Sequence, residues 1–85
     1  MNKYYVKYLP SGNESQFSLI DEQLNSKGIS FEFRALRAGG GIYRIPEHEM
    51  HKLPVDEGEP YLPVTDDAGH SIYLDINNDM WENMP

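Results

Sequence analysis

Eighty-five residues make one small domain, which buries only about 60–65% of the surface its unfolded chain exposes, so a separate catalytic lobe and most enzyme superfolds are excluded. Hydrophobic residues at 39% and aromatics at 12% suffice for a core despite a mean hydropathy of -0.64, while the lack of cysteine excludes disulfide frameworks, thiolate nucleophiles, zinc–thiolate sites and iron–sulfur clusters and fits a reducing cytoplasm. Fourteen acids against seven bases give a formal charge of -7, which disfavours direct nucleic-acid binding and favours a basic partner or simple solubility.

The opening segment MNKYYVKYLP carries Lys3 and Lys7 through its apolar residues and reads neither as a secretory leader nor as a membrane span. Residues 3–9 alternate, with Tyr4, Val6 and Tyr8 on one face, and predict a half-buried strand closed by Pro10. From Asn13 to Lys27, Phe17, Ile20 and Leu24 fall at helical spacing, Asn13 and Gln16 form a capping box, and Gly28 supplies the C-terminal stop. Ile29, Phe31, Phe33 and Ala35 then alternate with Ser30, Glu32, Arg34 and Leu36, which predicts a strand that continues through the turn Gly39-Gly40-Gly41 into a second strand, Ile42 to Ile45.

Pro46 opens a short helix through Lys52, ended by Leu53 and Pro54. Residues 54–60 (PVDEGEP) read as a Pro-bounded acidic loop. The following YLPVTDDAGHSIYLDI reads as two strands joined by Asp66 to Gly69, with Pro63 confining the first to a sheet edge and Ile72, Leu74 and Ile76 facing inward. The tail NNDMWENMP reads as a turn of helix whose Trp81 and Met84 close the bottom of the core. The organisation is one domain over residues 1–85, an α+β fold in which an antiparallel sheet of four to five strands packs on one main helix, with a short second helix.

None of the motifs carries a complete chemistry. His48 and His51 lie three apart, not at the spacing of the zinc-protease signature, and have no third ligand beyond the distant His70. Asp75, Asn77 and Asp79 match the first oxygen positions of a calcium loop, but Met80 stands where that loop needs glycine. The glycine run lacks the lysine and Ser/Thr of a phosphate loop and flows into a strand. No serine sits in a nucleophile elbow, and Ser71 beside His70 is a sequence neighbour without a triad. The chain is therefore expected to be non-enzymatic, with no catalytic residue, metal or cofactor.

The charge is segregated. Up to Arg44 six bases face four acids; from residue 45 onward Lys52 alone faces Glu47, Glu49, Asp56, Glu57, Glu59, Asp66, Asp67, Asp75, Asp79 and Glu82. Alternate residues of an extended segment project to one side about 6.6 Å apart. Glu57 with Glu59, and Asp75 with Asp79, are thus expected to form carboxylate rows that imitate the phosphates of duplex DNA, spaced one charge per about 1.7 Å of axis. Tyr61 and Tyr73 are candidate anchors among these acids, Tyr5 and Tyr43 are further candidates for an outward face, and Trp81 is assigned to the core.

In size, charge and these segregated acids the chain resembles, as a class, the small acidic cysteine-free proteins that phages encode to disable host nucleases, CRISPR effectors, polymerases or nucleoid proteins. That resemblance implies a DNA-mimicking inhibitor in the host bacterial cytoplasm, binding a basic, DNA-binding protein rather than nucleic acid or membrane. It prescribes no fold and no individual residue. The alternatives are an immunity-type protein that plugs one basic partner without mimicry, and an adaptor whose open edge at the Pro63 strand pairs with another chain, its own copy included.

Overall fold

The computed structural model describes residues 3–10, 14–37, 39–65, 68–76 and 81–82. Its elements follow the chain as β1 (Tyr4–Leu9), α1 (Glu14–Ser26), β2 (Glu32–Ala35), β3 (Gly41–Pro46), a 3₁₀ helix (Glu47–Lys52), β4 (Val55–Asp56), β5 (Glu59–Thr65), β6 (Ser71–Tyr73) and β7 (Asp75–Ile76). The α+β class, the main helix and the short second helix match the expectation. The strands divide into two sheets, ordered β2-β3-β1-β7 and β4-β5-β6, with every pairing antiparallel. No helix among the described residues is long and apolar enough to cross a membrane.

Helix α1 ends where glycine allows it to. Gly28 adopts a left-handed φ of 69°, a conformation that costs other residues a clash between Cβ and backbone. The amide of Gly28 donates to the carbonyl of Asn25 (3.0 Å) and that of Ile29 to Leu24 (3.0 Å), the paired bonds of a Schellman cap. Leu24 and Ile29, both buried, accompany the cap. Of the expected capping box, Asn13 lies outside the described residues. The strand expected from Ile29 pairs only over Glu32–Ala35, because Ile29 is committed to the helix cap.

The main core fills the space between one face of the four-stranded sheet, α1 and the inner face of the smaller sheet. Leu9, Ile20, Leu24, Tyr43, Ile45, Leu62, Val64, Ile72 and Leu74 meet there with Met50 and Leu53. Tyr43, proposed above for an outward face, is fully buried instead. It pairs with Phe33 across the β2–β3 ladder, packs tilted against that ring with centroids 4.8 Å apart, and donates its hydroxyl to Asp21 at 2.8 Å. Burial first, and then the Asp21 carboxylate, push the phenol well above its ordinary pKa, so it remains a donor. Tyr5 is half-buried against the same core.

The opposite face of the large sheet carries a second, smaller cluster of Val6, Ile42 and Trp81, with Tyr4 and Leu36 beside it. Trp81 is thus buried, as expected, while Met84 lies outside the described residues. The Trp81 ring is held by cations. The guanidinium of Arg34 sits 4.9 Å and that of Arg44 4.7 Å from its centroid, and Arg34 Nη1 donates to the Trp81 carbonyl at 3.0 Å.

Three expectations are corrected by how the chain after residue 54 divides between the two sheets. The acidic loop at residues 54–60 is a hairpin in which Val55 pairs with Pro60 and Asp56 with Glu59. The strand containing Pro63 is central in the sheet order, not an edge; Pro63 itself lies past the pairing with β4, which ends at Pro60, and within the register shift of the pairing with β6 between Leu62 and Thr65, where a residue without an N–H is tolerated. Finally, Ile76 is 57% exposed, because the chain leaves the small sheet after Tyr73 and joins β1 at the edge of the large one.

Candidate functional site

Four of the twelve residues proposed from sequence meet on the outer face of the β4–β6 sheet, and a fifth, Glu57, stands at the turn that joins β4 to β5. Leu62 and Val64 turn into the core, so alternation turns Glu59 and Tyr61 outward. Cross-strand partners share a face, which adds Asp56 opposite Glu59 and Tyr73 opposite Tyr61. The two tyrosine rings pack tilted, with centroids 5.5 Å apart and an interplanar angle of 49°. The Tyr73 hydroxyl donates to Asp56 Oδ2 at 2.6 Å; this bond, with partial desolvation and the Asp56 charge behind it and Glu57 adding to them, raises the phenol pKa. Tyr73 is thereby held upright among carboxylates.

Glu57 is not part of an extended row with Glu59, because it occupies the turn itself. Both central residues of the hairpin loop have positive φ, 52° at Glu57 and 83° at Gly58, as a type I′ turn requires. Glutamate has no local hydrogen bond to offset that conformation, which favours glycine or asparagine. The hairpin tip therefore carries two unfavourable features: Glu57 in the left-handed region, and like charges directly opposite at Asp56 and Glu59. The ion pairs among the described residues fall on Glu32, Glu49 and Glu82. Glu57→Asn is expected to raise the unfolding free energy by about 0.5–1 kcal/mol, seen as an upward shift in thermal midpoint; an unchanged or lowered midpoint would refute the strain.

The remaining acids do not join this face. Glu47 is exposed at the start of the 3₁₀ helix, Asp75 belongs to β7 of the other sheet, and Glu82 follows Trp81 with its carboxylate 3.8 Å from Arg44. Asp66, Asp67 and Asp79 lie outside the described residues. Glu49 is a correction: it is buried, not a surface contact. A 3₁₀ helix eclipses residues three apart, so Lys52 Nζ reaches Glu49 Oε2 at 2.7 Å and also donates to the Gly28 carbonyl at 2.9 Å. The Ser30 amide approaches Glu49 Oε1 at 3.4 Å. Together these stitch the 3₁₀ helix to the segment after α1.

The Lys52 bond first, then Ser30, lower the Glu49 pKa from 4.5 to about 2. A depressed carboxylate stabilises the fold above its unfolded pKa and loses that contribution as pH falls through the folded one. The stability difference between the native chain and Glu49→Gln is thus expected to be full above pH 4.5 and to fade towards pH 2, measured by urea unfolding across that range. A difference independent of pH would show that the ion pair does not contribute.

A second feature escaped the sequence reading. Glu14, Phe17, Ser18 and Asp21 of α1, with Phe33 and Ala35 of β2 and the turn after it, line an open groove of about 520 Å³. Phe17 and Phe33, which mark only helical spacing and strand alternation in the sequence, are both half-buried, with centroids 5.1 Å apart. Only the folded packing of the glycine turn against α1 leaves this space. Among the described residues no three His, Asp or Glu side chains gather as a metal site would need.

No protein family, curated protein or solved structure matches this chain.

Proposed function

We propose that this chain is a non-enzymatic acidic binding protein whose β4–β6 face occupies the basic, nucleic-acid-binding surface of a bacterial partner. The observation that carries the reading is the hairpin tip, where Asp56, Glu57 and Glu59 lie beside a tilted Tyr61–Tyr73 pair and Asp56 accepts the Tyr73 hydroxyl. Carboxylates concentrated at a projecting turn act on an approaching cationic groove as phosphates would, steering encounter and releasing bound counterions. The tyrosines supply rigid, amphipathic area that slows dissociation. Natural chains retain locally unfavourable features chiefly where function compensates, and the strained, like-charged tip fits that pattern. In this reading the protein acts as a DNA-mimicking inhibitor of the kind phages direct at nucleoid proteins, nucleases, CRISPR effectors or polymerases in the host cytoplasm.

The test is a partner captured from bacterial lysate at low salt, then challenged with duplex DNA and with rising salt. Displacement by DNA and a steep loss of affinity with salt support mimicry. Capture indifferent to DNA favours the immunity-type reading, in which one basic partner is plugged without mimicry. Changing Asp56, Glu57 and Glu59 together to lysine is expected to abolish binding while altering the unfolding free energy by no more than about 1 kcal/mol, since these groups are exposed. Unchanged binding would remove this face from the contact.

A further inference from the structure

We propose that the β2 edge and the groove beside it form a second binding site, for an extended peptide segment carrying a cationic side chain. Two independent features converge there. First, β2 is the terminal strand of the four-stranded sheet, and an edge strand presents backbone donors and acceptors that another extended chain can take up. Second, Phe33 and Ala35 of that strand are also floor residues of the groove against α1. A strand added alongside β2 would point every second side chain over this floor, because alternation is fixed by the pleat.

The groove selects the chemistry of that side chain. Its charged lining residues are Glu14 and Asp21, and no lysine or arginine among the described residues lines it. Phe17 and Phe33 supply π-faces, to which an alkylammonium or guanidinium is attracted over its quadrupole. Asp21 is already oriented by the Tyr43 hydroxyl at 2.8 Å, so little side-chain freedom remains to be lost when a cation arrives. Gly41, the first residue of β3, keeps the space open. A Cβ on Gly41 would fall 2.6 Å from Phe33 Cε1 and 3.1 Å from Phe17 Cζ, displacing the two rings that form the floor.

The experiment is an NMR titration of the full chain with a capped hexapeptide alternating threonine and lysine. Saturable shifts at the Phe33, Ala35 and Asp21 amides are expected, with affinity reduced about tenfold or more when norleucine replaces lysine or when Asp21→Asn is combined with Glu14→Gln. The carboxamide oxygen that Asp21→Asn introduces still accepts the Tyr43 hydrogen bond, which keeps that variant folded. Backbone N-methylation of alternate peptide residues should abolish binding, and the triple lysine change at Asp56, Glu57 and Glu59 should leave it intact. Equal binding of the norleucine peptide, equal binding of the N-methylated peptide, shifts confined to β4–β6, or no saturation by about 5 mM would each overturn the proposal.

Discussion

Trp81→Ala is expected to lower the unfolding free energy by about 3–5 kcal/mol, a large share of the roughly 4–13 kcal/mol that a chain of this length commands at 0.05–0.15 kcal/mol per residue. The reason lies in the sheet's architecture. One face of β1–β3 is covered by α1 and the smaller sheet, whereas Val6 and Ile42 on the other are fully buried in a cluster whose remaining buried member is Trp81. Removing the indole returns those aliphatic chains to water. It also releases Arg34 and Arg44 from the ring and loosens the Arg34 bond to the Trp81 carbonyl. Arg44 keeps Glu32 at 2.6 Å and the Tyr4 ring at 4.4 Å, so the hydrophobic loss dominates. The measurement is urea unfolding followed by circular dichroism, because Trp81 is the only tryptophan. A loss under about 1 kcal/mol would show that Trp81 does not seal this face.

Gly40→Ala is expected to cost about 3 kcal/mol or more, through overpacking rather than a cavity. Gly40 is buried, and a Cβ there would lie 2.3 Å from the Leu9 carbonyl oxygen and 2.7 Å from that of Pro10. Those neighbours are backbone, so relief requires moving the end of β1. Gly39→Ala provides the contrast. Nothing lies within 4 Å of its added Cβ, but φ is 95°, so its cost is conformational and about 1–2 kcal/mol. Thermal unfolding of both variants separates the two mechanisms; equal, small shifts would refute the close approach at Gly40. The glycine run, read from sequence as a turn, is thus constrained at Gly40 by packing and at Gly39 by conformation.

The legible parts of the fold are those governed by near neighbours. Helix α1, its Gly28 stop, β1 and the β2–β3 hairpin follow from periodicity and glycine placement, which act within a few residues. The hairpin at β4 did not follow, because Glu57-Gly58 lacks the Asn-Gly or Asp-Gly pair that marks a type I′ turn. Two flanking prolines and the density of acids made it read as a loop. Proline lacks a ladder donor, so Pro63 by itself points to a sheet edge; the short reach of β4, which stops at Pro60, and the register break in the β6 pairing, which together make its place in a central strand acceptable, arise only when those strands pair.

For the candidate site, sequence supplied the carboxylates and tyrosines but not their grouping. Glu49 and Glu59 are indistinguishable as letters, yet one is buried against Lys52 and Ser30 while the other stands on an exposed face. That outcome depends on where the 3₁₀ helix docks, which involves residues 19 and more positions away in the chain.

Taken alone, the amino-acid order determined the α+β class, the principal helix and its stop, the hairpin around the glycine turn, and the excess of acid after Arg44. Tertiary structure decided the division into two sheets, the burial of Tyr43, the cation-clamped Trp81, and the gathering of Asp56, Glu57 and Glu59 around Tyr61 and Tyr73. The division follows from range. Backbone propensity and hydrophobic period are properties of contiguous residues, whereas burial, ion pairing and the sharing of a face are set by which distant segments come into register.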